Sequence, residues 1–270
     1  MATKVSDIFN QPTTEITEED KIRLIQMRVD DYNKVKGNLT EFDCPICNNK
    51  GLIMKMRKNP VYDYWEEYVI DCECMEKRRL LNKARKSGLG DYLKKTSKDY
   101  EATEQWQKDI LQKASDYCKS DNDNWFVILG QTGAGKTLIC SIIANYHLFN
   151  LNKSVVYITW TDFISRLKRD MMSDNTQTVS KYFDEVKNAE ILFIDELLKK
   201  YNETDLKYII EIINYRYTEG LKTIISSERE AGELLDIDEA TFGRMVEKAG
   251  KYIANIPKDR KKNYRLKNIL

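Results

Sequence analysis

The stretch Gly130-Gln131-Thr132-Gly133-Ala134-Gly135-Lys136-Thr137 limits the folds open to this chain more than anything else in it. It fits G-x-x-x-x-G-K-[ST], the phosphate-binding P-loop, and such a loop works only between a strand and a helix. Upstream, Trp125-Phe126-Val127-Ile128-Leu129 is a short apolar run of the kind a buried parallel strand uses. Downstream, Leu138, Ile139, Ile142 and Ile143 recur at helical spacing. The glycines let the backbone curl until its N–H groups face a polyphosphate at a helix N-terminus. Lys136 then reaches the β- and γ-phosphates, and Thr137 offers its hydroxyl to Mg²⁺. A glycine-rich surface turn would share the spacing but not these flanks.

A second pattern supplies the carboxylates such a site needs. Ile191-Leu192-Phe193-Ile194-Asp195-Glu196 is an apolar strand tipped by two acids, a Walker B pattern. Asp195 is placed to hold Mg²⁺ through water and Glu196 to polarise the attacking water. A buried strand that merely ends in acids is the plain alternative. Between the two motifs, Val155-Val156-Tyr157-Ile158 reads as a strand, and Phe163, Ile164 and Leu167 as a helix. A strand separating the P-loop and Walker B strands in sequence fits ATPases with an added central strand and a catalytic glutamate. Simple nucleotide kinases usually lack it. A helix over roughly 205–217 stops at Gly220, and Thr223-Ile224-Ile225-Ser226-Ser227 forms another strand whose polar tip suits a γ-phosphate sensor. Gly243-Arg244-Met245-Val246 lies on a further helix, and residues 252–256 read as a last strand.

Charged residues make up 32% of the 270 and nearly cancel, for a net charge of +1. That argues against coating nucleic acid by bulk charge but permits a local basic patch. No apolar run approaches a membrane span and the N-terminus is polar, so a cytosolic protein is expected, where structural disulfides are rare. Four of the six cysteines then need another role. Cys44-Pro45-Ile46-Cys47 and Cys72-Glu73-Cys74 bracket a hairpin-like stretch around Asn59-Pro60. A C-x-x-C on a tight turn points two thiolates at one spot, and a second pair closes a tetrahedral site. Zn²⁺ suits four sulfurs because it has no d-electron geometry preference and no redox cycle. Four unrelated thiols are the alternative; a redox motif lacks its strand–helix context here. With every position taken by cysteine, the zinc is structural. Cys118 is unrelated, and Cys140 belongs to the core behind the P-loop.

Around these motifs, residues 1–15 are polar and expected to fray. A helix is expected from Thr17, where Thr17 and Asp20 approximate a capping box, with Ile22, Ile25, Val29 and Tyr32 on one face and Gly37 as its stop. Met75-Glu76-Lys77-Arg78-Arg79 opens a basic helical stretch through Lys86, read as a solvated face. Ser87-Gly88-Leu89-Gly90 breaks it and marks a domain boundary. This gives residues 1–86 as a zinc-ribbon-like domain and 87–270 as a parallel α/β nucleotide-binding domain. A helix carrying Trp106, Ile110, Leu111 and Ala114 leads into the latter. The sole histidine, His147, has neither a second histidine nor a nearby thiol to suggest a ligand role.

Taken together, the Cys-x-x-Cys/Cys-x-Cys module, the P-loop, Ile194-Asp195-Glu196, the Thr223–Ser227 strand, Gly243-Arg244 and Tyr264-Arg265 resemble bacterial and phage replicative helicase loaders of the DnaC/DnaI type, which are AAA+ ATPases. The resemblance covers roughly residues 40–270. It implies an N-terminal domain that grips a DnaB-type hexameric helicase, and an AAA+ domain that binds ATP, Mg²⁺ and single-stranded DNA and self-associates as an open spiral. It further implies that Arg244 is an arginine finger for a neighbouring subunit and Arg265 a second sensor in cis. The sensor strand of such loaders commonly ends Ser-Asn, whereas here it ends Ser227-Glu228. A carboxylate cannot donate to a phosphate, so Ser227 is expected to be the donor. The DNA-contacting helix is expected after the second strand, where Phe163, Arg166, Lys168 and Arg169 offer cations beside an aromatic platform. An amphipathic helix with a basic outer face gives the same pattern. The readings left open are a transposition-helper ATPase of the IstB type, a small-molecule kinase, and an adaptor with a structural nucleotide site.

Overall fold

A computed structural model describes residues 16–86, 89–172 and 176–266; the expectations for residues 1–15 and for Ser87-Gly88 lie outside them. The chain forms two compact units that divide between Arg78 and Arg79. Among the described residues no helix is long and apolar enough to cross a membrane.

In the first unit, helix α1 spans Glu18–Lys34. Thr17 caps it, its Oγ1 accepting the Asp20 amide at 3.1 Å and donating to the Asp20 carboxylate at 2.6 Å. Ile25 and Val29 are its buried residues, flanked by the half-buried Ile22 and Tyr32. The helix ends at Val35 in extended backbone, not at Gly37. Gly37 is needed for another reason, since a Cβ there would collide with the Asn49 carbonyl. Strands β1 (Leu52–Lys58) and β2 (Trp65–Asp71) pair antiparallel, with Leu52 opposite Asp71 and Lys58 opposite Trp65. At the connection, Asn59 Oδ1 accepts the amides of Val61 and Tyr62 at 2.9 and 3.1 Å, the side-chain turn that asparagine favours. Helix α2 (Cys74–Lys86) follows, and the division between the units falls within it.

The second unit begins with short 3₁₀ turns at Gly90–Lys94 and Ser97–Asp99 and helix α3 (Gln105–Lys119). Its buried face is Gln107, Ile110, Ala114 and Tyr117, while Trp106 and Leu111 are half-buried. There follow β3 (Phe126–Gly130), α4 (Lys136–Phe149), β4 (Val155–Thr159), α5 (Trp160–Met172), α6 (Thr176–Lys187), β5 (Ile191–Asp195), α7 (Glu203–Thr218), β6 (Lys222–Ser226), α8 (Ala231–Leu235), α9 (Glu239–Ala249) and β7 (Ile253–Ile256). The five strands form one sheet in the order β4-β5-β6-β3-β7, every pair parallel. Strands β3 and β5 are buried throughout, as expected for a sheet covered on both faces. The strand between the P-loop and Walker B strands in space is β6; β4, which lies between them in sequence, is at the sheet edge. Helix α6 has no counterpart in the sequence reading, yet Val179, Tyr182 and Phe183 pack against the core around Phe163 and Leu167.

Candidate functional site

The P-loop lies where its motif requires, between the C-terminal end of β3 and the first turn of α4. Gly135 caps α4 in the left-handed region (φ 79°) and Gly133 is also left-handed (φ 73°). An alanine at Gly133 would additionally collide with Asn263 Oδ1. Tyr264 closes over the same turn, its amide donating to Gly133 O at 3.0 Å. Gln131 Oε1 accepts the Asp259 amide at 2.8 Å, its Nε2 donates to Thr132 O, and Ala134 is buried. Lys136 Nζ donates to Gly130 O and Gln131 O at 2.7 and 2.6 Å, and burial pushes its pKa down. A buried ammonium whose hydrogen bonds go to neutral carbonyls is a strong attractor of phosphate oxygens.

The carboxylates stand beside it. Asp195 is 3% exposed and accepts from Thr137 Oγ1 (3.0 Å), Tyr157 OH (3.1 Å) and Ser226 Oγ. Burial raises its pKa against the effect of those three donors. Thr137 and Asp195, the two groups suited to Mg²⁺, are therefore already in contact, and the residues fit that ion. Glu196 takes a left-handed φ of 54°, costly for a non-glycine and typical of functional sites. Its amide donates to Ser226 Oγ at 3.1 Å, and its carboxylate pairs with Lys199 at 2.7 Å. Glu196, Lys136, Thr137, Ser226, Glu228 and Arg265 line one cavity of about 660 Å³, a size that suits a nucleotide.

Two expectations are overturned. Ser227 is fully buried and its hydroxyl donates to Leu197 O at 2.7 Å, away from the cavity. Side chains alternate along an extended chain, so Ser226 and Glu228 reach the cavity and Ser227 cannot. Phe163 is fully buried in the core and offers no face to a base. Lys168 pairs with the buried Asp205 at 2.5 Å, and Arg166 lies 3.9 Å from the Tyr182 ring centre; Arg169 is exposed. Arg244 is outside the cavity, on the exposed side of α9, where it donates to Asn214 Oδ1 at 2.6 Å. Residues the sequence reading missed also form the site. Tyr157 arrives from the edge strand, and Tyr92, Lys95, Asp99, Tyr100 and Glu101 line the cavity from the lead-in segment. No local motif marks them. His147 Nδ1 is tied to Ile143 O at 2.9 Å in the core, and Cys140 is fully buried.

In the first unit the four cysteines converge, all four sulfurs lying within 4.8 Å of one another. Cys44 and Cys72 sulfurs are 3.8 Å apart, and Cys47 and Cys74 3.5 Å. A tetrahedral zinc with Zn–S of about 2.3 Å requires S···S of roughly 3.8 Å, whereas a disulfide requires about 2 Å. The donor set fits zinc. Burial pushes the Cys72 thiol up to about 12, while Cys47, against the same burial, is brought to about 7 by the Gly51 amide and the neighbouring thiols.

A parallel sheet in this strand order, with a P-loop and a carboxylate pair at its strand ends, defines a P-loop nucleotide-binding ATPase fold of the AAA+ kind. The chain belongs to the family of the bacterial DnaA ATPase domain, which matches residues 102–249. It is 30% identical over 174 residues to the uncharacterized protein YqaM of Bacillus subtilis, covering 62% of this chain and 52% of that one. It is 28% identical over 143 residues to the replicative helicase loader DnaC of Buchnera aphidicola, covering 52% and 55%. The chain thus spans about half the length of the curated relatives it matches. Among solved structures, a DnaC helicase loader superposes with a TM-score of 0.52 at 20% identity, covering 63% of this chain and 99% of that one, a likeness of fold.

Proposed function

We propose that this chain is an ATP-dependent loader that places a DnaB-type hexameric helicase on single-stranded DNA at the initiation of replication. The observation that carries the reading is a tetracysteine cluster, in a unit of its own, ahead of a sheet whose strand ends gather Lys136, Thr137, Asp195 and Glu196. The similarity to a helicase loader supports it. Residues 1–86 bind the helicase and hold structural Zn²⁺ at Cys44, Cys47, Cys72 and Cys74. Residues 87–270 form the AAA+ domain and act in the cytoplasm.

The P-loop amides and Lys136 bind the β- and γ-phosphates of ATP, and Thr137 with Asp195 holds Mg²⁺, which neutralises charge developing on the transferred phosphoryl group. Glu196, once released from Lys199, accepts hydrogen bonding from the attacking water. Ser226 takes over from Ser227 as the hydroxyl beside the phosphate end of the cavity, and Arg265 contributes a second cation in cis. Arg244, exposed and outside its own cavity, serves a neighbouring subunit's site. Arg166 and Arg169 on α5 track the strand's phosphates without an aromatic platform from Phe163. ATP binding organises the loader on the helicase, and hydrolysis releases it.

The test is co-purification with a DnaB-type helicase, with and without ATP, followed by transfer of the helicase to single-stranded DNA. An ATP-dependent complex that loads the ring is expected. Turnover stimulated by a small phosphate acceptor, with no helicase complex under either condition, would refute the reading.

A further inference from the structure

We propose that Arg78 is the built-in counter-charge of a metal-bound tetrathiolate, directing its Nε–H at the Cys74 sulfur; the proposal rests on the zinc reading of the four cysteines. The sequence placed Arg78 in a solvated basic run, yet its side chain is only 2% exposed. Sinking a guanidinium this far costs several kcal/mol unless charge and hydrogen bonds offset it. Part of the offset is visible. Nη1 pairs with Glu41 at 2.5 Å, Nη2 donates to Phe42 O at 2.8 Å and to Asn49 Oδ1 at 3.3 Å, and the group stacks 4.4 Å from the Phe42 ring centre.

Two observations remain unexplained by those contacts. Arg78 Nε is buried and has no partner at hydrogen-bonding geometry, although buried donors are almost always paired. Arg78 also stands one helical turn beyond Cys74 on α2, the spacing that puts two side chains on the same face. Its guanidinium is close enough to that sulfur to interact with it.

The chemistry of the centre supplies what is missing. Four thiolates around a divalent cation carry an excess of two negative charges in a site whose cysteines are at most 7% exposed. N–H donors and a nearby cation stabilise such a centre. The Gly51 amide already donates to the Cys47 sulfur at 3.3 Å. Arg78 brings the cation, and the same side chain braces Asn49, whose Oδ1 accepts the Cys44 amide at 2.7 Å. One residue thus answers the charge of the centre and fixes the loop that presents its first two ligands. It is a positioning residue for the metal, acting through the sulfurs.

The experiment uses the full chain as wild type, R78M, R78Q, R78K and E41Q. Zinc per chain is measured by elemental analysis, zinc affinity by competition with a chromogenic chelator, and the sulfur-to-metal charge-transfer band after Co²⁺ substitution. R78M and R78Q should bind zinc about 10–100-fold more weakly, with a displaced Co²⁺ band. R78K, which keeps the charge without the fork, should recover part of the affinity, and E41Q should stay near wild type. Wild-type affinity in R78Q overturns the proposal. So does an E41Q defect as large as that of R78Q, since Arg78 would then be only the partner of Glu41. If R78M does not fold, R78Q against R78K decides: equal defects in both mean that the charge is not what matters. A wild-type chain that takes up no zinc removes the zinc reading and this proposal together, an outcome distinct from a zinc-loaded chain indifferent to Arg78.

Discussion

Arg216 offers the sharpest test of how this ATPase unit is held together. It lies in the last turn of α7, fully buried, and donates to Thr223 Oγ1 (2.9 Å), Lys187 O (2.9 Å), Ala189 O (2.7 Å) and Lys222 O (2.6 Å). One guanidinium therefore ties the end of α7 to the connection entering β5 and to the start of β6. In R216M all four bonds vanish and three backbone carbonyls lose a buried partner. Hydrogen bonds from a charged donor contribute about 1.5–3 kcal/mol each, but methionine also removes the several-kcal/mol cost of burying the charge. The net loss should be about 3–5 kcal/mol, or a fall in Tm of roughly 6–20 °C for a unit of this size. R216K should resemble R216M more than wild type, because a lysine's point charge cannot span four acceptors lying in different directions. Trp125 and Trp160, both fully buried in this unit, report its unfolding by fluorescence in heat or urea. ATP affinity measured well below the transition should be unchanged, since these contacts lie at the N-terminal ends of the strands, opposite the P-loop. A stability loss under about 1 kcal/mol in R216M would refute the argument.

Four further outcomes are expected. Burial raises the Asp195 carboxyl, so the folded chain holds that proton more tightly than the unfolded one; the group favours folding as pH falls through its folded pKa and costs stability above it. D195N should therefore raise the Tm of the ligand-free protein at neutral pH while abolishing the extra stabilisation by Mg²⁺ with ATP, and a lowered Tm would contradict this. E196Q should retain ATP binding and lose most hydrolysis in a phosphate-release assay; unchanged turnover would show that another group acts on water. R244A should bind ATP normally but hydrolyse about 10³–10⁵-fold more slowly, and mixing it with K136A under assembling conditions should restore part of the rate; no recovery within a shared helicase complex would deny a role in trans. C72S should lose its zinc by elemental analysis and loosen the first unit while sparing nucleotide binding; a metal-free wild type that is fully folded would remove the basis of that expectation.

Which parts of this site were legible beforehand follows from how each part is built. The P-loop and the Asp195-Glu196 pair are contiguous strings whose chemistry depends on local backbone, and the cysteine pairs are likewise read from spacing. The error between Ser227 and Ser226 is one of register. In β6 residues Thr223–Ser226 are all buried, so no polar–apolar alternation reveals which parity faces the nucleotide cavity. Phe163 was recoverable, because Trp160, Phe163, Ile164 and Leu167 recur at i, i+3, i+4 and i+7 and mark the stripe that α5 buries. Arg78 and Arg216 carried no such signal. Each sits in a helix where an arginine ordinarily points to solvent, and most of their acceptors are backbone carbonyls or side-chain oxygens distant in sequence. Tyr264 is marked only through the family resemblance, and its contact with the P-loop is not; its amide meets Gly133 O, a bond indifferent to the tyrosine ring. Its hydroxyl is occupied with Gln107 and Glu101 O in the lead-in segment, while the ring edge lies beside Gly135. A contact made by backbone atoms leaves no residue-type trace at either end. The cavity wall is therefore most hidden from sequence where the tail and the lead-in close over the phosphate loop, and residue identity is most informative where a side chain must itself meet phosphate or metal.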